Sequence, residues 1–315
     1  MDKIGIKQYC EFLKGYIIPE TPHDFSGKIS ESFRFGLTDG ELDAGIAAFR
    51  KMLYKLFDRA ALLSGDEPSI KKDVKKKYDK DDYRRYTDVI HHLAWILYRM
   101  GQAELETKPN IRLVGKIENY YLVWNNDGYI LDDKHREGYL FLIELGYKFT
   151  GIDLAKNEKY AGSAPFIIEH EDDAVIIGTK LMAEALDNIK DRSIKPHNII
   201  MRCDFSPLAN ETVSPHTLYI HDFARSLPQG IANFLIRIDD RLQEIGCIVE
   251  GKKDNFSTDT TFVYFIKHKK KVEVCRLFIS IQGCSVKYNN KIYLLNEKTD
   301  FELLQEQIEA ELAAI

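Results

Sequence analysis

Apolar side chains in the first third of the chain recur with the spacing of long amphipathic helices. Alternating spacings of four and three residues place one set on a single helical stripe: Leu42, Ile46, Phe49, Leu53, Leu56, Ala60 and Leu63. The segment Thr38-Asp-Gly-Glu41 predicts a capping-box start, and Gly65 predicts an end. A second long helix is predicted over residues 82–104 and a short one over residues 4–13. Residues 1–109 are therefore expected to be a helical region whose two long helices pack antiparallel.

From Asn110 onward, short β-type runs alternate with helices. In residues 110–194, named module A, strands are predicted over residues 111–115, 120–124, 147–152 and 165–169, and helices over residues 134–145 and up to about Ile189. The first two strands are expected to pair with each other. The first helix is apolar on most faces, so we expect it to be central.

The second half, residues 195–315 or module B, repeats this order. Strands are predicted over residues 197–203, 217–221, 247–250 and 261–267, and helices over residues 228–245 and 300–314, the last behind the capping box Thr299-Asp-Phe-Glu302. The two copies are aligned on the helix ends at Gly146 and Gly246, each of which closes a Leu-x-Glu-x-Gly sequence. Side-chain identity between the copies is poor, so chance similarity of two α+β segments is the alternative.

These patterns predict an α+β protein. The helical N-terminal region is followed by two tandem β-β-α-β-β-α modules with mainly antiparallel sheets, and module B is enlarged by an extra hairpin at residues 272–282 and 291–295. Composition supports a globular chain, because 44% of the residues are hydrophobic and 30% are charged.

Charge and cysteine content narrow the possible partners. The 44 Lys and Arg residues face 49 Asp and Glu residues, so nucleic acid is an unlikely partner. The basic run at residues 71–85 contains Tyr78 and Tyr83, but acidic residues balance it, which favours a salt-bridged helix surface. No apolar stretch approaches the roughly 20 residues that cross a membrane. Five cysteines without a C-x-x-C pair, together with no apolar signal at the N-terminus, predict a cytoplasmic protein with free thiols.

The sequence contains no motif for a cofactor or for catalysis in the structural context that the motif requires. Gly246–Lys253 resembles a phosphate loop, but it follows a helix and precedes a strand, the reverse of the order that phosphate binding needs. His91 and His92 are neighbours on one helix and point about 100° apart, so they cannot chelate one metal ion together. The sequence also has no G-x-S-x-G and no G-x-G-x-x-G motif. We therefore expect neither a metal nor a cofactor.

Candidate site residues stand where a predicted strand leads into a helix. They are Trp124, His170, His221 and Asp222. The alternative for each is a local role: Trp124 in the core beneath the turn at residues 125–128, Asp222 as a helix cap, and the two histidines as solvated residues. We expect a non-enzymatic binding or accessory protein for a small molecule or a protein partner. The alternative is a hydrolase or transferase that uses the pairs His170-Glu171 and His221-Asp222, so enzymatic activity stays open.

Overall fold

The computed structural model describes residues 5–18, 24–62, 87–119, 122–155, 158–189, 200–209, 220–224, 226–253, 260–267 and 271–312. The α+β class is confirmed, and every strand pairing in this part of the chain is antiparallel. The chain divides into two compact units. Residues 1–11 and 17–216 form the first unit, and residues 12–16 and 217–315 form the second.

The helices are α1 (Ile6–Lys14), α2 (Asp39–Ala61), α3 (Thr87–Gly101), α4 (Asp133–Glu144), α5 (Asp173–Asp187), α6 (Ile220–Ala224), α7 (Gln229–Glu244) and α8 (Phe301–Leu312). The strands are β1 (Glu104–Glu106), β2 (Arg112–Lys116), β3 (Val123–Asn125), β4 (Gly128–Ile130), β5 (Tyr147–Thr150), β6 (Lys159–Tyr160), β7 (Pro165–His170), β8 (Ile248–Lys253), β9 (Thr260–Lys267), β10 (Lys271–Ser280), β11 (Gly283–Tyr288) and β12 (Lys291–Leu295).

Helix α5 is the centre of the first unit. Nearly every residue from Val175 to Leu186 is buried, because α2 and α3 pack along it and the sheet β1-β2-β7-β5 contacts it as well. The prediction that the helix over residues 134–145 would be central is wrong, since Leu140 and Ile143 of α4 are exposed. The two long N-terminal helices are confirmed, and each of them packs along α5.

Glycines allow α2 and α5 to cross at very short range. A Cβ added at Gly178 would lie 2.2 Å from the carbonyl oxygen of Gly45, and one added at Gly45 would lie 2.6 Å from Cγ2 of Ile177. Gly101, at the end of α3, is similar, because its Cβ would lie 2.3 Å from the carbonyl oxygen of Thr179. No side chain larger than hydrogen fits at these crossings.

The second unit is a five-stranded antiparallel sheet in the order β12-β11-β10-β9-β8, with helices against one face. Phe223 of α6 contacts Phe262 of β9, with ring centroids 5.6 Å apart. The Tyr264 hydroxyl of β9 donates a 2.5 Å hydrogen bond to the buried carboxylate of Asp239 on α7. Tyr264 therefore joins an internal strand of the sheet to the middle of the helix.

Several predicted strands are wrong. Residues 200–202 and helix α6 are helical where strands were expected over residues 197–203 and 217–221, although part of each segment lies outside the described residues. The predicted pairing of the first two strands of module A is also wrong, because β2 pairs with β1 and β7, whereas β3 pairs with β4. The tandem repeat of modules A and B, and the boundaries at residues 109 and 194, stay predictions.

Predictions of helix ends agree with the structure more closely than predictions of strands. The capping box of Thr38 and Glu41 is confirmed at the start of α2. Gly146 and Gly246 both follow a helix with positive φ angles of 104° and 85°. The phosphate-loop resemblance ends in β8 of the antiparallel sheet, which is the strand context expected from the sequence. At α8, however, Asp300 rather than Thr299 is the cap, since its carboxylate accepts from the Leu303 amide at 3.1 Å.

Three further expectations concern membrane spans, cysteines and the basic run. Among the described residues, no helix is long and apolar enough to cross a membrane. All five cysteines are buried thiols outside any disulfide. Burial raises the pKa of Cys203 and of Cys275 to about 12 each. The basic run at residues 71–85 lies outside the described residues.

The helix crossing makes a testable prediction. Gly178→Ala should lower the free energy of unfolding by about 2 kcal/mol or more, because the methyl group has no space against Gly45. Gly40→Ala, in the first turn of α2, is the control. Its Cβ would meet no atom within 4 Å, so alanine should leave the free energy of unfolding equal or raise it by up to about 1 kcal/mol. Urea unfolding followed by circular dichroism measures both changes. Equal effects of the two variants would contradict the tight crossing.

Candidate functional site

A three-stranded sheet in the first unit carries an aromatic side chain on each of its strands. The strands lie in the order β3-β4-β6, and the register pairs Trp124 with Tyr129 and Tyr129 with Tyr160. Residues paired directly across antiparallel strands project from the same face of a sheet. Trp124, Tyr129 and Tyr160 therefore form one line across the sheet, here named the aromatic row.

Exposure and ring geometry distinguish the three rings. Trp124 is 59% exposed, whereas Tyr129 and Tyr160 are half-buried. The rings of Trp124 and Tyr129 lie 5.1 Å apart between centroids at an angle of 69°, an edge-to-face contact. The Tyr160 hydroxyl accepts a 2.8 Å hydrogen bond from the Asp153 amide, which fixes that end of the row. The row thus has one anchored end and one end open to solvent.

Charges near the aromatic row are unevenly distributed. A Cβ added at Gly162 would lie 2.8 Å from Cε2 of Tyr129 and 3.0 Å from a carboxylate oxygen of Glu118, so these two groups are neighbours. Lys159 pairs with Asp127, and the hydrogen bond and charge of this lysine hold the pKa of Asp127 below its ordinary value. The lysine charge is thereby compensated, while the Glu118 carboxylate remains beside the ring.

A histidine and carboxylate cluster lies at the start of α4. The Asp132 carboxylate caps the helix by accepting from the His135 amide at 2.8 Å, and it also contacts Nδ1 of the His135 ring at 2.5 Å. The His92 ring from α3 lies against the His135 ring, with 4.9 Å between centroids. Partial burial would raise the pKa of Asp132, but the hydrogen bonds from His135 and the charges of His135 and His92 outweigh burial and lower it.

His170 lies at the junction of β7 and α5, as predicted, but both of its ring nitrogens bond to the backbone. Nε2 is 2.9 Å from the Leu145 carbonyl oxygen, which can only accept, and Nδ1 is 2.8 Å from the Asp172 amide, which can only donate. Nδ1 also lies 3.1 Å from the Asp172 carbonyl oxygen, so both ring nitrogens contact backbone groups. The ring also packs edge-on against Tyr147 at 4.8 Å. His170 thus joins the end of α4 to the start of α5.

The other predicted site residues occupy different contexts. Trp124 precedes a hairpin turn instead of a helix, because residues 128–130 form β4 and Asn126 has a positive φ angle of 54°. His221 is exposed within α6 rather than at a strand end. Asp222 belongs to the same helix, and its side chain lies outside the described part of the structure. A ligand site bordered by all four residues stays a prediction.

Sequence reasoning missed Tyr129, Tyr160 and His135. Tyr129 falls between the strand predicted over residues 120–124 and the helix predicted over residues 134–145, where no element was expected. The two residues of β6 are too few to give an alternating pattern. The spacing Asp132-x-x-His135 after a turn was a usable signal, since an N-cap carboxylate reaches the third residue of its helix. Within the described residues, no group of three or more His, Cys, Asp or Glu side chains is arranged to hold a metal ion.

Asp132 makes a prediction about pH. Its pKa is lower in the folded chain than the usual 3.8, so its charge stabilises the fold above that value and this contribution disappears as the pH falls through the folded pKa. Asp132→Asn keeps a capping oxygen without the charge. The stability difference between the parent and this variant should therefore be largest above the ordinary pKa of 3.8 and shrink as the pH falls through the lowered pKa of the folded chain. Asp132→Ala, which also removes the cap, should cost about 1 kcal/mol more.

Urea unfolding at a series of pH values measures these differences. A parent and Asn variant that differ equally at all pH values would contradict the role of the Asp132 charge.

A scan of protein-family models, a search of curated proteins and a search of solved structures each returned no match to this chain.

Proposed function

We propose that this chain is a non-enzymatic binding or accessory protein whose ligand surface is the aromatic row. The observation that carries the proposal is the 59% exposure of Trp124 at the end of a line of three paired aromatic residues. Tryptophan and tyrosine offer large apolar area with a polar group, and binding surfaces are enriched in them. A cytoplasmic location is proposed as well, supported by five cysteines that remain buried thiols.

The dimensions of the row favour a small molecule over a protein partner. Three neighbouring strands span roughly 10 Å between the outer two, at about 4.8 Å per strand. That distance accommodates one or two rings of a ligand. Stable protein interfaces, by comparison, use about 800 Å² on each side.

The chemistry of the row favours a neutral or cationic ring. Aromatic faces attract planar rings, the C–H faces of sugars, and cations, because the face of the π system is negative. The Glu118 carboxylate beside Tyr129 repels anions, and the Lys159 charge is compensated by Asp127. We therefore expect nucleosides, sugars or aromatic amines to bind more tightly than their phosphorylated forms.

The fluorescence of Trp124 reports on binding directly. The chain has two tryptophans, so Trp95→Phe leaves Trp124 as the single indole emitter. We expect adenosine or another neutral ring compound from a metabolite panel to shift or quench this emission. The phosphorylated partner, such as AMP, should bind at least several-fold more weakly, and Glu118→Gln should reduce that difference.

A second variant separates binding from folding. Trp124→Ala should abolish the thermal-shift response to the ligand while the unfolding temperature changes little, because the ring is exposed. Leu62→Ala, which truncates another exposed apolar side chain of the same unit, is the matched control and should keep the response. The proposal is wrong if Trp124→Ala retains every ligand response of the parent.

A hydrolase or transferase is the second candidate function, and the Asp132–His135 contact favours it. A carboxylate bonded to Nδ1 of an imidazole orients the ring, an arrangement that acid–base catalysis also uses. We propose this pair in place of His170-Glu171, because His170 bonds to backbone groups through both nitrogens. The pair His221-Asp222 stays a prediction.

The test of this second candidate uses His135→Gln. If the pair is catalytic, a panel of generic ester and phosphoester substrates should contain one whose turnover falls at least about 100-fold in this variant. His170→Gln is the control and should affect stability without a selective loss of turnover. Background-level turnover of the whole panel by the parent chain would count against catalysis.

A further inference from the structure

The two edges of the five-stranded sheet differ in how well they resist pairing with another strand. Strand β8 forms one edge, and its sequence Ile-Val-Glu-Gly-Lys-Lys has three charged residues, a composition that is common in protected sheet edges. Strand β12 forms the other edge, and its sequence Lys-Ile-Tyr-Leu-Leu has one charge, at the first position. Ile292 and Leu294 on this strand are 67% and 74% exposed. The β12 edge is therefore apolar and unprotected.

The backbone groups of β12 that point away from the sheet belong to the same two residues. The hairpin from β11 to β12 turns at Asn289 and Asn290, both with positive φ angles, and pairs Tyr288 with Lys291. In a two-residue hairpin of this kind the closing pair exchanges hydrogen bonds, and hydrogen-bonded pairs then alternate along the strands. Lys291, Tyr293 and Leu295 thus bond to β11, so the N–H and C=O groups of Ile292 and Leu294 face outward. The Leu294 carbonyl oxygen already accepts a long 3.5 Å hydrogen bond from the Thr299 hydroxyl, and its second lone pair can accept from another strand.

We infer that two copies of this chain associate by antiparallel pairing of their β12 strands about a two-fold axis at Tyr293. That symmetry sets Ile292 opposite Leu294 of the second copy, and Leu294 opposite Ile292. Both outward backbone groups of each residue then find a partner, giving four hydrogen bonds. The four exposed apolar side chains come together on one face of a continuous ten-stranded sheet.

Strand β12 is complementary to a second copy of itself, which favours a second copy of the chain over an unrelated partner. The same register that satisfies the outward backbone groups also pairs the exposed apolar side chains, and no other centre of symmetry does both. An axis at Ile292 would pair Ile292 with itself and leave Leu294 without an apolar partner. An axis at Leu294 would pair Leu294 with itself and leave Ile292 without one. An isologous contact of this kind closes at two copies, so it gives a dimer without further growth.

Sedimentation velocity over a range up to sub-millimolar concentration tests the association. One strand pair buries little area, so we expect a dimer with a dissociation constant on the order of micromolar or weaker. Leu294→Lys should shift the chain to monomer, with at least a tenfold weaker association, and its circular dichroism should match that of the parent. Val272→Lys is the matched control: Val272 is 52% exposed on the internal strand β10, so this variant should still dimerise.

A cysteine substitution at the axis tests the register itself. Tyr293 is predicted to face Tyr293 of the second copy in a non-hydrogen-bonded pair, where Cα atoms lie about 4.5 Å apart, a distance that a disulfide accepts. Tyr293→Cys should therefore form a covalent dimer when treated with diamide. Lys291→Cys should not, because its counterpart lies four residues away along the opposing strand. Burial raises the pKa of Cys284 to about 11, which limits its reaction under the same conditions.

The outcomes separate the possibilities. A parent chain that stays monomeric at sub-millimolar concentration overturns the inference, as does a dimer that survives Leu294→Lys. Equal crosslinking of Tyr293→Cys and Lys291→Cys would overturn the register. The ligand response of Trp124 is measured independently, so failure of either idea leaves the other to stand on its own result.

Discussion

The close crossing of α2 and α5 is the contact on which the first unit depends. Gly45 and Gly178 bring the two helix backbones together without a side chain between them, and Gly101 allows α3 a similar approach to α5. Helix α5 is buried along nearly its whole length as a result. Thr179, which follows Gly178 in α5, shares a 2.8 Å hydrogen bond with the Tyr147 hydroxyl of β5. The position of the helix therefore also sets the position of the sheet.

The second unit uses a polar contact where the first uses glycines. Burial, reinforced by the nearby Asp239 charge, raises the pKa of Tyr264, so this residue stays protonated and donates its hydrogen bond. Gln243 donates to the other oxygen of the same carboxylate at 2.8 Å. A buried carboxylate with both oxygens bonded is tolerated in a core, whereas loss of either donor would leave a buried acceptor without its hydrogen bond. The Tyr264 bond fixes α7 relative to the sheet, and the Gln243 bond, within α7, completes the hydrogen bonding of the carboxylate.

Features with a local cause could be predicted from the sequence. The capping box of α2, the glycine after α7 and the bounds of β12 each follow from adjacent residues. Strand partners and burial could not be predicted this way. The position of α5 as the central helix depends on its contact with α2, more than a hundred residues earlier, and the aromatic row depends on a two-residue strand at Lys159–Tyr160. Neither leaves a periodic pattern in its own segment.

The aromatic row and the β12 edge differ in the groups that they expose to solvent when no partner is bound. The aromatic row exposes mainly ring surface, and removing that apolar area from water contributes about 25 cal/mol for each Å². The β12 edge exposes apolar side chains together with outward N–H and C=O groups, which any extended chain can bind. A lone edge of this kind invites unspecific association. A symmetric partner removes that exposure only while it is bound. Because the expected dissociation constant is micromolar or weaker, we expect strand pairing to depend on the concentration of the chain, whereas ligand binding at Trp124 depends on the concentration of the ligand.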